Sequence, residues 1–146
     1  LRVTADDREV LLAPGGVVAA WTYEKFRIDD AVDAVIDHFY SEVVGPFWPP
    51  ERRYVEQGYR TLPFPWPDVP HPPFSLETCW DLDRVLGYLA TWSSVQRFKD
   101  SLGRDPLPDL RDRLLRPWPR GEPRTLHWPI HLRLGPAWRG RSGDLT

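Results

Sequence analysis

The sequence predicts an α/β fold that closes a larger sheet and ends in an antiparallel pair of strands. Three observations predict it: an apolar run at residues 17–20 after Pro14-Gly15-Gly16, two stretches of alternating apolar residues, and helical patterns between them. A continuously apolar run is typical of a strand buried on both faces, which needs neighbouring strands. Residues 1–16 are too few to supply a parallel neighbour with its crossover, and the chain contains no methionine. We therefore expect the C-terminal part of a larger domain.

Composition limits the class of protein. The chain has 146 residues, 41% of them hydrophobic, which is enough for one domain with a core. Its net charge of -2 disfavours a nucleic-acid-binding module. No run of about 18 apolar residues is present, so no membrane span is expected. The single cysteine, Cys79, allows no internal disulfide, and a cytoplasmic location is therefore predicted.

Helical spacing of apolar residues predicts a helix over residues 28–43. Asp29 is the predicted N-cap, and Gly45-Pro46 is the stop signal. A proline-dense connector follows.

Within this connector, residues 51–58 are predicted as a short helix, because Pro50 suits a first helical position and Gly58 a helix end. Residues 62–74 are predicted to run extended, with Phe64 and Trp66 packed into apolar grooves.

The second half of the chain continues the alternation of strands and helices. Residues 74–80 have the period of a strand, and Asp81 is the predicted cap of a long helix over residues 82–102. A short amphipathic helix is predicted over residues 107–115.

The last predicted strand covers residues 125–134, where apolar and polar residues alternate and Gly135-Pro136 ends the pattern. Pro129 lacks a ladder donor, so an edge position is expected for this strand. Residues 137–146 are predicted to be a flexible tail.

Four segments carry a resemblance to a known family. They are VLLAPGGVVAAW (10–21), FWPPERRYVEQGYRTLPF (47–64), WDLDRVLGYLATWSSVQR (80–97) and WPIHLRLG (128–135). In these segments the chain resembles the class I S-adenosylmethionine-dependent methyltransferases, specifically the type 11 group that is similar to trans-aconitate methyltransferases. The resemblance implies the C-terminal portion of a Rossmann-like seven-stranded sheet, with its helical cover and its final antiparallel strand pair.

The resemblance also implies what this chain lacks. Such enzymes hold the cofactor with a glycine-rich turn after the first strand and an acidic side chain after the second, whereas the glycines here form no G-x-G pattern. Residues 1–136 are therefore expected to be a partial methyltransferase domain without its N-terminal cofactor-binding half. S-adenosylmethionine is the expected cofactor of the complete protein, and we expect no cofactor-binding residue in this chain and no binding to it alone.

A candidate acceptor pocket lies on the predicted helix over residues 82–102. Its apolar stripe turns polar halfway, at Ser93 and Gln96. The residues predicted to bind a small-molecule acceptor are Tyr88, Trp92, Ser93, Gln96 and Arg97. Arg97 is the predicted anion contact and the two aromatic residues form a wall. The carboxylate acceptor that the trans-aconitate likeness implies needs no general base, so no catalytic residue is assigned.

A second interpretation of this helix stays open. The apolar stripe can instead shift to Trp92, Val95 and Phe98, in which case the polar residues simply face water.

The two histidines of the last predicted strand do not predict a metal site. His127 and His131 share a strand face, but their Cα atoms are separated by about 13 Å, too far for one zinc ion, and no metal site is predicted. The alternative function, from a different class, is a non-catalytic ligand-binding or protein-interaction module.

Overall fold

The computed structural model describes residues 16–136, which form a three-stranded antiparallel sheet with helices packed on part of one face. In chain order the elements are β1 (Val17–Tyr23), α1 (Asp30–His38), a π-helical turn (Phe39–Val43), a 3-10 turn (Gly45–Phe47), α2 (Arg52–Glu56), β2 (Phe74–Trp80), α3 (Leu82–Ala90), α4 (Ser93–Leu102), α5 (Leu107–Leu114) and β3 (Arg124–Pro136). The predicted turn at residues 10–15 and the predicted tail at 137–146 lie outside the described residues.

The long strand β3 lies at the centre of the sheet. Residues 124–130 pair antiparallel with β2, and residues 130–136 pair antiparallel with β1, so the two ladders meet at Ile130. The strand order is therefore β1-β3-β2. The α/β class and the final antiparallel pair, β2 with β3, agree with the prediction.

Pro129 does not place β3 at an edge, and that prediction is wrong. The Pro129 carbonyl accepts a hydrogen bond from the Glu24 amide at 3.2 Å. Its nitrogen faces the same side, because the N–H and C=O of one strand residue point in the same direction. On that side β1 has already ended, at Tyr23 opposite Ile130. The ladder with β2 therefore loses no hydrogen-bond donor. Pro129 is tolerated inside the sheet for the same reason as at an edge, because its nitrogen faces away from the strand with which it is paired.

β1 differs from its predicted environment. It pairs antiparallel with β3 along one edge, and the described residues supply no strand for its other edge. Val17, Trp21 and Tyr23 share one face and are exposed, whereas Thr22 on the opposite face is buried. Within the described residues, the prediction of burial on both faces is therefore wrong.

The exposed side chains of β1 continue onto β2. Trp21 lies opposite Leu132, and Leu76 lies opposite Trp128, and residues that are opposite each other share a face. The helices cover one end of this face, where Trp128 is buried. We call the uncovered end the open face, and it comprises Val17, Trp21, Tyr23, Phe74 and Leu76.

Helix α1 confirms the predicted start, whereas the α-helix ends at His38 and a π-helical turn continues to Val43, before the predicted stop at Gly45-Pro46. Asp29 is extended, and its carboxylate accepts hydrogen bonds from the amides of Ala31 and Val32 at 3.0 and 2.9 Å. This satisfies two of the unpaired donors at the helix start. Val32 and Ile36 then face the core.

The predicted helix over residues 82–102 is in fact two helices, α3 and α4. The Thr91 hydroxyl donates to the Tyr88 carbonyl at 2.7 Å where α3 ends. Trp92 is extended, and its ring is only 8% exposed because it packs beside Trp48. Neither glycine nor proline marks the break, so tertiary packing overrides a helical pattern here.

The proline-dense connector forms the predicted short helix as α2, and it then covers the other face of the sheet. Phe64 and Trp66 both pack against Gly135 of β3. The Val69 amide donates to the Leu134 carbonyl at 2.8 Å, which fixes the connector along this half of the strand. In the described part of the chain, no helix is long and apolar enough to cross a membrane.

Replacing Gly135 by alanine should destabilise the protein by about 1–3 kcal/mol, because overpacking forces well-packed neighbours apart. A Cβ at Gly135 would lie 2.4 Å from the Trp66 Cβ and 3.0 Å from the Phe64 ring. Urea denaturation measures the change. Gly87→Ala is the matched control: nothing lies within 4 Å of its Cβ position, so it should stabilise α3 by about 0.5–1 kcal/mol. Equal effects of the two substitutions would contradict the packing of the connector on β3.

Candidate functional site

A cavity of about 350 Å³ lies where the end of β1, helix α2 and the break between α3 and α4 meet. Its lining includes Trp48, Arg52, Tyr88, Trp92 and Ser93. One cavity of about 140 Å³ and another of about 350 Å³ adjoin it, and both share Arg52 and Val55 with its lining. The combined space suits a small molecule.

One wall of the cavity is aromatic. The ring centres of Trp48 and Trp92 are 5.5 Å apart, and those of Trp92 and Tyr88 are 6.2 Å apart. Tyr88 in turn lies 6.0 Å from Trp128 of β3. The aromatic wall consists of Trp48, Trp92 and Tyr88, and it is tied directly to the core of the sheet. Tilted and edge-to-face pairs of this kind are favourable beyond the area they bury.

A hydrogen-bonded group of three side chains borders this wall. Arg52 Nε donates to the Tyr40 hydroxyl at 2.8 Å, and the Tyr40 hydroxyl donates to Glu56 Oε1 at 2.6 Å. Burial and this hydrogen bond to Glu56 raise the pKa of Tyr40 to about 12. The phenol therefore stays protonated at physiological pH.

Lys25 adds a second cation to the cavity. Its ammonium group contacts the Asp37 carboxylate and lies 5.4 Å from the centre of the Tyr40 ring. Burial, with the positive charge of Arg27, lowers the pKa of Lys25 to about 8, and nearby carboxylates oppose this shift. Lys25 therefore loses its proton just above neutral pH.

The five residues predicted to bind the acceptor do not all lie together. Tyr88, Trp92 and Ser93 line the cavity, whereas Gln96 and Arg97 do not. Gln96 is exposed, and its side chain donates to the Ala90 carbonyl at 2.7 Å.

The break between α3 and α4 explains this arrangement. The apolar stripe shifts to Trp92, Val95 and Phe98, which are buried, and Arg97 is exposed on the opposite side of α4. This is the second interpretation of the helix that the sequence left open.

Sequence reasoning missed the two cations of the cavity, Arg52 and Lys25. Arg52 lies in a helix of five residues inside the proline-dense connector, and Lys25 lies in the loop after β1. Neither belongs to a long periodic element. The segment WPPERR carried the available signal, because it places Arg52 at the start of a short helix, four residues after Trp48.

A larger groove of about 790 Å³ runs between the connector and β3. Its charged and polar side chains largely neutralise one another. Arg133 forms a two-pronged ion pair with Asp68 at 3.0 and 2.8 Å, and His131 hydrogen bonds to Glu24 at 2.6 Å. We therefore regard the groove as structural.

The described residues contain neither a metal-binding cluster nor a glycine at a junction from a strand to a helix. Among residues 16–136, no group of three or more His, Cys, Asp or Glu is placed to hold a metal ion. His127 is paired with Glu77 at 2.9 Å. β2 passes into α3 through Asp81 alone, without a glycine turn that would let backbone approach a nucleoside.

Known proteins that are similar to this chain include a curated protein and a solved structure. A protein of Dictyostelium discoideum named "Putative methyltransferase" is 25% identical over 119 residues, which cover 80% of this chain and 45% of that protein. A solved structure from Anaeromyxobacter dehalogenans, titled as a "Putative Type II Methyltransferase", is 44% identical with a TM-score of 0.80. The match covers 87% of this chain and 55% of that one. No protein-family model matches the chain.

These matches relate the chain to part of each protein. The chain spans about half the length of the proteins it matches. It is an α/β protein whose sequence is similar to about half of two proteins named as methyltransferases, and its fold is similar to that of the solved one.

The lowered pKa of Lys25 predicts a pH-dependent stability. The unfolded state binds more protons than the folded state between pH 8 and 10.5, so the free energy of unfolding should rise with pH in that window. Lys25→Met should remove this rise. The chain has one other lysine, Lys99, which pairs with Asp105 near the surface, and Lys99→Met is the control. Urea denaturation from pH 7 to 10.5 tests the slope, and a rise that survives Lys25→Met would contradict the assignment.

Proposed function

We propose that this chain is the C-terminal part of an S-adenosylmethionine-dependent methyltransferase that acts on a small molecule. The observation that carries the proposal is the fold match to a protein titled as a methyltransferase, with 44% identity across 87% of this chain. The type 11 group and a trans-aconitate-like, carboxylate-containing acceptor are the finer form of the proposal, supported by the four resembling segments. A cytoplasmic location is proposed on the basis of the single cysteine.

The cofactor contacts are proposed to lie in a part of the domain that these 146 residues do not include. Two observations support this. Each matched protein is about twice as long as the segment matched, and the open face exposes large apolar side chains such as Trp21, at 59%. Soluble proteins seldom leave a contiguous apolar patch of this kind uncovered. We propose that the remainder of the domain packs on the open face and pairs with the edge of β1 for which residues 16–136 supply no strand.

The cavity beside the aromatic wall is the proposed acceptor site. Tyr88, Trp92 and Ser93 line it, and Gln96 and Arg97 remain predicted contacts only for an acceptor that extends beyond it. Methyl transfer from a sulfonium is an in-line displacement, so these residues have to hold the acceptor and exclude water. A carboxylate acceptor arrives ionised and needs no base from this chain.

Calorimetric titration of S-adenosylmethionine tests the cofactor proposal. The 146-residue chain should take up none, whereas a longer chain that includes the sequence encoded upstream should bind it and transfer its methyl group. Tight, stoichiometric binding of S-adenosylmethionine to the 146 residues alone would contradict the proposal that the cofactor contacts lie outside them. A longer chain that neither binds nor transfers would favour the alternative, a non-catalytic ligand-binding or interaction module.

The exposed apolar side chains predict self-association of the 146-residue chain. Replacing Trp21 and Leu76 together by threonine, which keeps strand propensity, should shift the chain from dimers or aggregates toward monomers in light scattering. Leu102→Thr is the control, because Leu102 is 50% exposed on α4, away from the sheet. A wild-type chain that is already monomeric and melts cooperatively would contradict the proposed docking role of the open face.

A further inference from the structure

Arg52 is held rigidly against the aromatic wall. Its guanidinium carbon lies 4.5 Å from the Trp48 ring centre and 5.5 Å from that of Tyr40. One nitrogen, Nε, is fixed by the Tyr40 hydroxyl at 2.8 Å. Glu56 receives the Tyr40 proton and so sets the direction of that bond. The Arg52 guanidinium is therefore oriented before any ligand binds, which reduces the conformational entropy lost on binding.

The two terminal nitrogens of Arg52 are unused. Among the described residues they have no hydrogen-bond or ion-pair partner. The half-buried arginines of β3 differ: Arg124 pairs with Asp29 at 2.8 Å, and Arg133 pairs with Asp68 at 2.8 Å. A half-buried guanidinium without a carboxylate keeps its capacity for a two-pronged bond to an anion.

The charged residues around the cavity leave the terminal nitrogens of Arg52 available to an anionic ligand. Three carboxylates around the cavities are engaged by other side chains, since Glu24 bonds to His131, Glu56 to Tyr40, and Asp37 to Lys25. A fourth, Glu51, lines an adjoining cavity and forms no ion pair with Arg52 within residues 16–136. Arg52 is thus the cation that a ligand can neutralise without displacing a protein carboxylate.

We infer that Arg52 is the anion contact of the acceptor site and that the cavity selects a flat carboxylate, one joined to an aromatic or unsaturated body. This rests on the proposed function and deepens it. The carboxylate takes the terminal nitrogens of Arg52, and the flat body lies along Trp48 and Trp92, both of which line the same cavity as Arg52. Tyr40 acts as a positioning residue, because its hydroxyl fixes Arg52 Nε and the residue does not line the cavity beside the aromatic wall.

The inference moves the anion contact from Arg97 to Arg52. Arg97 is exposed on α4 and does not line the cavity, whereas Arg52 lines it and both adjoining cavities. An exposed arginine binds an anion weakly, since water competes for the charge.

Direct binding to the 146-residue chain tests the inference without methyl transfer. The probe is benzoate, with neutral benzamide as its uncharged counterpart, and the readout is the shift of tryptophan indole resonances in NMR titrations. Benzoate should shift the Trp48 and Trp92 signals and leave Trp118 unchanged, because Trp118 is fully buried and donates to the Glu122 carbonyl. Arg52→Gln should weaken benzoate binding at least about tenfold, to the level of benzamide. Arg53→Gln, the matched control on the same helix, should leave it unchanged, because Arg53 is exposed and lines none of the three cavities.

Two further variants keep the test decisive if Arg52→Gln perturbs folding. Tyr40→Phe retains the ring and removes the hydroxyl that orients Nε, so it should weaken benzoate binding less than loss of Arg52 does. Arg52→Lys keeps the charge without the planar fork and should recover only part of the affinity. Benzoate binding that is unchanged in Arg52→Gln, absent in the wild type, or equalled by benzamide would overturn the inference.

The outcome is separable from that of the proposed function. Benzoate binding through Arg52 with no methyl transfer in the longer chain would leave the anion site standing and reject the enzyme. Methyl transfer that is insensitive to Arg52→Gln would support the enzyme and reject Arg52 as its anion contact.

Discussion

The strand β3 is the constraint on which the rest of the structure depends. Its first half pairs with β2 and its second half with β1, so one continuous backbone sets the register of the whole described sheet. It also accepts a hydrogen bond from the connector at Leu134 and buries Trp128 beneath the helices. A one-residue slip of β3 would move Trp128 to the opposite face and expose it. The register is therefore fixed by burial as well as by hydrogen bonds.

The aromatic side chains carry this constraint from the sheet to the cavity. Trp128 packs against Tyr88, Tyr88 against Trp92, and Trp92 against Trp48. The helix break at Trp92 accompanies this packing, because the extended backbone at Trp92 places its ring beside those of Trp48 and Tyr88. The break costs some helical hydrogen bonding, and the burial of a large aromatic ring offsets that cost. The cavity wall is thus a consequence of the core.

Local patterns were sufficient to predict most of the elements. The caps at Asp29 and Asp81 are fixed by hydrogen bonds within the next three residues, so the neighbouring sequence determines them. The alternation at β2 and β3 was also visible, since each strand has one face directed at the helices. What failed needed long-range information. The position of Pro129 depends on where β1 ends, and the break at Trp92 depends on a tryptophan more than forty residues earlier.

The candidate site shows the same division between local and distant information. Tyr88, Trp92 and Ser93 were accessible to sequence reasoning because they lie on or beside a strongly periodic helix, and the cavity contains them. Arg52 was not, because its value as an anion contact depends on the absence of a carboxylate partner. Seventeen of the nineteen basic residues are arginines, so residue type alone distinguishes none of them. The distinction lies in the environment: Arg124 and Arg133 meet carboxylates from distant segments, and Arg52 meets two aromatic rings and a phenol. Only the folded chain determines that Arg52, half-buried in the described structure, meets no carboxylate there.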